Sequence, residues 1–498
     1  MPDTKPIKKV LLIFPPVRLY RETMKLVFSP LGVAYIAAYV RNEVDVRILD
    51  AAAEGFDHEI ILDEDFIQFG LSIDEVKRRI ADYKPDVVGV TCLFSSVFPV
   101  VREVCRAAKS VDPNILTITG GAYPTFMTEY CLEEESLDAV AKGEGELIMM
   151  EIIRARREGR PLSGIDGLGV KEDGRVVINP KTKWIDDLDT VSFPARDLLP
   201  MELYKKIGVP HSFSASSRAN APLVTSRGCP AHCIYCSSTK FWGNRYRFRS
   251  AQNVLDEIGE LIEKYGIEEI QFEDDNLTAN RKRAKEIFQG IIDRGYKIKF
   301  NFPNGVALWT LDEELVDLIV KAGAYEMTLA FESGCQDVLK DIVKKPLNLE
   351  KARQITKYIR GKKLRTNAFY IFGFPGETRE QMQQTFAFAN EMKTDTAYFF
   401  VANPLPGTAM YELARDRGML RGDFNFENLT FTRSAYHSGI FPPGELEHMA
   451  GREFLKYNFR SFFRHPFVLF KKSFVDLFLR RPRYTLGLFM RIFRRNLW

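Results

Sequence analysis

The chain begins with a short apolar run, KKVLLIFPP, that reads as a buried strand. It is followed by SPLGVAYIAAYVRNE, a helix opened by Ser29 with Pro30 at its first position. The alternation continues. DVRILD, PDVVGVTC, ILTITGG and LDAVAKGEGE have strand patterns, and SIDEVKRRIADY and SSVFPVVREVCRAAKSV have helical ones. Strands alternating with helices at this spacing predict a parallel, doubly wound, Rossmann-like sheet over residues 1–150. Ligands of such sheets sit beyond the carboxyl ends of the strands. Those ends read FPP, TCLFSS, GGAYPT and KGEGE, and their glycines and small hydroxyl residues let a backbone approach a large flat or phosphate-bearing ligand.

Residues 151–215 read as a linker, with a hairpin turn at KEDGR. A second alternation fills 216–430. PLVTSRGC, EEIQFEDDNL, KFNFPNGVALW, EMTLAFESG, RTNAFYIFGFPGET and TAYFFVANPLPGT are its strands, each followed by a helical pattern. About six such pairs predict an α/β domain of partial TIM-barrel type, with its chemistry at the carboxyl ends of the strands. Residues 431–498 form a small, basic, helical C-terminal region.

Composition narrows the class. In 498 residues, 45% are hydrophobic and 27% charged, as in a globular protein with two or three domains. No run of 18 apolar residues predicts a spanning helix. The first residues lack the layout of a signal peptide. Seven cysteines, few and odd in number, argue against a disulfide framework and for a reducing, cytoplasmic location. The net charge of +4 hides an asymmetry: residues 451–498 carry +10 and the rest −6. That tail holds ten Phe, and Pro466 and Pro482 divide it into amphipathic basic pieces. Such pieces suit the inner face of a membrane, or they cap the barrel with their Phe in its core. No recognition motif supports nucleic acid as a partner.

The stretch TSRGCPAHCIYCSS holds Cys229, Cys233 and Cys236 at spacing C-x3-C-x2-C. Three thiolates can bind zinc, form a disulfide with one spare, or hold an iron–sulfur cluster. A closed zinc site wants a fourth ligand, and none is obvious: His232 lies inside the loop and the nearest other cysteine is Cys335. Three cysteines on a four-iron cluster would leave one iron open.

With Tyr235 before the last cysteine, this motif resembles that of radical S-adenosylmethionine (SAM) enzymes. FEDDNL, FESG, FGFPGET and PLPGT follow in order, and SPLG, TCLFSS, GGAYPT and KGEGE precede it. Together they resemble the cobalamin-dependent class, in which a cobalamin-binding domain precedes a radical SAM barrel. The resemblance covers residues from about 8 to about 420 and implies three cofactors: a 4Fe-4S cluster, SAM and cobalamin.

It also implies roles. Cys229, Cys233 and Cys236 would hold the cluster, whose open iron chelates SAM, and Tyr235 would pack on the adenine. Glu273 and Asp274 would meet the methionine amino group, and Glu332 and Ser333 the ribose or carboxylate. Gly373, Phe374 and Pro375 would shape the adenine pocket. For cobalamin the expected contacts are Ser29, Leu31 and Gly32; Thr91, Ser95 and Ser96; Gly120, Gly121 and Tyr123; and Gly143, Glu144, Gly145 and Glu146. The loop after the first strand has no His to ligate cobalt, so Val17–Arg21 would lie under it.

The expected activity is transfer of a methyl group to an unactivated carbon of a hydrophobic substrate such as a lipid, isoprenoid or tetrapyrrole. One SAM would yield a 5′-deoxyadenosyl radical and a second would remethylate the cobalamin. An external electron donor such as flavodoxin or ferredoxin would feed the cluster. The alternatives are a cyclase or rearrangement enzyme of the same class, and a non-catalytic cobalamin or redox sensor.

Overall fold

The computed structural model describes residues 5–21, 23–208, 211, 215–429, 434–437, 440–442 and 444–464. The N-terminal domain is built on a seven-stranded sheet. Five strands are parallel: β1 (Lys9–Phe14), β2 (Asp45–Asp50), β3 (Val87–Thr91), β4 (Leu116–Gly120) and β5 (Ala139–Ala141). The KEDGR hairpin adds β6 (Leu168–Glu172) and β7 (Arg175–Ile178) antiparallel at the far edge, giving the order β7-β6-β5-β4-β3-β1-β2. The sheet therefore runs past residue 150 into the expected linker. A second departure is a small antiparallel sheet of Val17–Tyr20, Phe66–Phe69 and Glu59–Ile61. The segment expected as a loop under cobalt is thus largely strand. Arg18 donates to the Glu427 carbonyl at 2.7 Å, and the Tyr20 hydroxyl to that of Asn428 at 2.9 Å.

The second domain has six parallel strands: β8 (Asn220–Leu223), β9 (Glu269–Phe272), β10 (Lys299–Asn301), β11 (Glu326–Glu332), β12 (Arg365–Phe372) and β13 (Thr396–Val401). Two triplets, β8-β9-β10 and β11-β12-β13, are joined by parallel bridges from Phe300 to Ala324 and from Val306 to Leu329. Among the described residues β13 and β8 do not pair, so the barrel is partial. Helix Glu445–Arg464 covers the open edge. The Asn458 amide donates to the Ala397 carbonyl at 2.9 Å and accepts from its N–H at 3.2 Å, which stops further strand pairing.

Strand alternation sorts the barrel's side chains. Phe272, Phe300 and Phe302 face outward and pack edge-to-face or stacked with Phe288 of helix Arg281–Asp293. Phe331, Tyr370 and Phe399 stack in a second row. The alternate positions, Gln271, Asn301 and Asn367, are buried and polar, and each keeps an amide atom without a partner.

The pieces of the tail beyond Pro466 lie outside the described residues. Tyr457 of the covering helix is buried, its hydroxyl donating to the Thr394 carbonyl at 2.8 Å, whereas Phe459 and Phe463 are exposed. No helix among the described residues is long and apolar enough to cross a membrane.

Candidate active site

The three-cysteine loop leaves the end of β8 and is pinned at its centre. The Ile234 N–H donates to the Val343 carbonyl at 3.0 Å, and its own carbonyl accepts from the Met410 N–H at 2.9 Å. These bonds come from the loops after β11 and β13, so the cysteines sit over the carboxyl mouth of the barrel. The Asn276 amide approaches the Cys229 sulfur at 3.5 Å. Burial pushes the Cys233 thiol up to about 11, while Cys236 is exposed at the loop's surface. Unaided, Cys233 would stay protonated at neutral pH, and bound iron would remove the proton. No three His, Cys, Asp or Glu side chains among the described residues close tightly enough on one ion. Three thiols on one loop suit a cluster held by three thiolates. The other four cysteines are buried and free.

The acids after β9 divide by direction. The Glu273 carboxylate faces the mouth, accepting from His211 Nδ1 at 2.9 Å and from the Asn304 amide at 3.0 Å. Burial lowers the imidazole's pKa, but the Glu273 carboxylate overrides it and the net shift is upward. Spacing gave no sign of this pair, since 62 residues separate its members.

Asp274 corrects the expectation. It is buried and accepts from the Thr225 N–H at 3.1 Å, the Thr225 hydroxyl at 2.7 Å and the Ser226 hydroxyl at 2.5 Å. It anchors the start of the cysteine loop and is not free for an amino group. Asp275, unassigned from sequence, accepts from Trp242 Nε1 at 2.9 Å and from the Gly228 N–H at 3.3 Å, bracing the same loop.

Glu332 ends β11 with a left-handed φ of 65° and makes a buried ion pair with Lys345 Nζ at 2.7 Å. A non-glycine residue held there is strained, a mark of functional sites. Burial foremost, with Glu332 beside it, raises the Tyr235 phenol well above its usual range. Ser333 is a second correction. Fully buried, its hydroxyl lies 3.0 Å from that of Thr385 and accepts from the Cys335 N–H at 3.1 Å, so it shapes the turn.

Phe374 is buried against Tyr235, with ring centroids 6.0 Å apart. The Gly373 and Phe374 N–H groups both donate to Glu377, at 2.7 and 3.0 Å, and Tyr436 donates to the Gly373 carbonyl. This turn, with buried Pro375 next in line, supplies packing, while its amides are spent inside the protein.

In the N-terminal domain, two buried hydroxyls at the carboxyl end of the sheet have no partner among the described residues: Ser29 Oγ and Tyr123 OH. Ser29 does not cap the helix that follows it, which begins at Leu31. Gly32 is exposed, with open space where a Cβ would stand. Thr91, Ser95, Ser96 and Gly120 line the same end; Ser95 is buried and the other three half-buried. Gly121, at φ 116°, packs so closely that a Cβ would lie 2.5 Å from the Cys92 carbonyl oxygen. The unpartnered hydroxyls and the open edge at Gly32 suit a large polar ligand such as cobalamin, whereas Gly121 is spent on the protein's own backbone.

The last expected group divides. Gly145 packs against Ile36. Gly143 and Gly243 of the cysteine loop both pack against the Trp184 ring; a Cβ on either glycine would come within 3.0 Å of the indole. Glu144 and Glu146 correct the sequence reading, because both are buried in ion pairs with the barrel domain. Arg227 donates to Glu144 at 2.7 Å and to Glu146 at 2.5 Å, and Arg247 to Glu144 at 2.7 Å. Farther along, Glu257 holds Arg196 at 2.5 Å and also Arg249. An acid at a strand end looks the same in sequence whether it meets a ligand or an arginine 83 residues away.

Residues 17–153 match the B12 binding domain, and residues 223–389 the Radical SAM superfamily. The chain is 34% identical over 485 residues to cytidylyl-2-hydroxyethylphosphonate methyltransferase of Streptomyces wedmorensis, covering 91% of this chain and 90% of that one. It is 28% identical over 484 residues to anaerobic magnesium-protoporphyrin IX monomethyl ester cyclase of Rubrivivax gelatinosus, covering 92% and 81%. Its fold is similar to that of the radical SAM methyltransferase TsrM from Kitasatospora setae, solved with cobalamin and a [4Fe-4S] cluster. The TM-score is 0.66 at 19% identity, covering 83% of this chain and 76% of that one.

Proposed function

We propose, from the premise that the chain belongs to the cobalamin-dependent radical SAM enzymes, that it methylates an unactivated carbon of a small molecule. Its cofactors are a 4Fe-4S cluster, SAM and cobalamin. When bound, cluster and SAM supply a hydrogen-abstracting oxidant and cobalamin supplies the methyl group. The observation that carries the reading is the 34% identity to a methyltransferase along nearly the whole of both chains.

The chain's own residues would hold and orient these groups. Cys229, Cys233 and Cys236 would bind the cluster. Glu273, held in place by His211 and Asn304, would be the carboxylate that meets the SAM ammonium group. Tyr235 and Phe374 would wall the adenine side. On the opposing domain Ser29, Tyr123 and the exposed Gly32 edge would receive cobalamin.

The basic, Phe-rich tail supports a hydrophobic substrate met at a membrane's inner face. The amide atoms without a partner on Gln271, Asn301 and Asn367 support a polar end entering the barrel. An external one-electron donor such as flavodoxin or ferredoxin completes the reading. Cell extract incubated with the reconstituted enzyme and methyl-labelled SAM tests it. Label should enter a product mass raised by one methyl group, and an organic-phase product would support the hydrophobic substrate. A new product without label would favour the cyclase reading, which the 28% relative supports. Because Tyr457 is part of the barrel's packing, truncation for liposome flotation should remove 465–498 and leave the covering helix.

A further inference from the structure

We propose that Arg227 is a positioning residue that couples occupancy of the cluster site to occupancy of the cobalamin site, resting on the cofactor reading above. Arg227 lies two residues before Cys229, in a two-stranded ribbon that pairs it with Arg247. Its guanidinium leaves the barrel domain and enters the loop between β5 and helix Gly145–Glu158. There Nη1 meets Glu144 Oε1 at 2.7 Å and Nη2 meets Glu146 Oε1 at 2.5 Å. Arg247 Nη1 reaches the same Glu144 oxygen at 2.7 Å and the Ile185 carbonyl at 2.6 Å, and the second Glu144 oxygen accepts from the Ile185 N–H at 3.0 Å. All four charged side chains are buried, two cations against two anions.

The two tethered loops are the ones that matter. One begins the cysteine triad; the other closes the carboxyl end of the sheet, where the cobalamin site lies. Trp184, packed against both Gly143 and Gly243, touches the same two loops a second time. A forked pair in a dry site tolerates little displacement, because no water replaces a lost hydrogen bond. A cofactor that orders one loop therefore orders the other, and linkage makes the effect reciprocal.

The test uses one anaerobic preparation, titrated with hydroxocobalamin before and after removal of its cluster by chelation. Cluster-bearing protein should bind hydroxocobalamin about tenfold more tightly, within the range usual for coupled sites. Hydroxocobalamin should also alter the paramagnetic resonance line shape of the reduced cluster. Glu146→Gln, which keeps size but removes one charge, should bring the affinity ratio toward one and abolish the spectral change while both cofactors still bind. A ratio of one in the unaltered protein overturns the coupling, whatever the variant does. A ratio unchanged by Glu146→Gln overturns the assignment to this network. A protein that takes up no iron or no cobalamin would overturn the cofactor reading itself, and is told apart by its metal and corrin content.

Discussion

Lys345 and Glu332 form a buried ion pair, Nζ to Oε1 at 2.7 Å, at the strained end of β11. The lysine also lies over the Trp309 ring, 5.1 Å from its centroid. Removing one partner strands a charge where water does not reach. Lys345→Met should cost ~3–5 kcal/mol in urea unfolding of the cofactor-free protein. Adding Glu332→Gln should recover a substantial part of that loss. A double variant no more stable than Lys345→Met would show that the pair does not carry this cost.

The two neighbouring acids should separate by assay. Asp274 holds Thr225 and Ser226 by three close hydrogen bonds. Asp274→Ala should therefore lower thermal stability by roughly 2–4 kcal/mol through unsatisfied buried donors. Glu273→Gln should leave stability within about 1 kcal/mol and weaken SAM binding roughly tenfold or more, as loss of one charged contact implies. Calorimetric SAM titration of the cluster-loaded variants checks both. Equal effects on SAM binding would restore Asp274 to the ligand site.

Glu377 makes stability depend on pH. Burial pushes its carboxyl up to about 7, although the Gly373 and Phe374 amides oppose this, and Oε1 has no partner among the described residues. Below about pH 4.5 the group is neutral folded or unfolded and costs nothing. Between about 4.5 and 7 the unfolded chain ionises first, so stability falls as pH rises, by roughly 3 kcal/mol in all, and then levels off. Glu377→Gln should flatten that part of the profile. Unfolding measured from pH 5 to pH 8 would contradict this if the unaltered protein and the variant ran parallel.

Much of this organisation was legible in the chain. Period-two and helical patterns located the strands of both domains, and the spacing of Cys229, Cys233 and Cys236 marked one loop for metal chemistry. The illegible parts share a cause: they depend on partners distant in sequence. Glu144 and Glu146 sit at a strand end where a ligand was expected, yet Arg227 and Arg247 claim them. Asp274 and Ser333 turned inward for the same reason. His211 and Lys345 carried no motif, because what defines them is the carboxylate each meets after folding. The hairpin at Leu168–Ile178 was visible as a turn, but its joining the first sheet was not.

The central claim is that three cysteines hold a cluster with one iron free to act on SAM. The most direct measurement is 5′-deoxyadenosine formation by anaerobically reconstituted protein given SAM and dithionite. The unaltered protein should form it, and the variant with alanine at 229, 233 and 236 should form none while still binding hydroxocobalamin. A cluster-loaded protein that yields no 5′-deoxyadenosine, or a triple variant that yields as much as the unaltered one, would contradict the account.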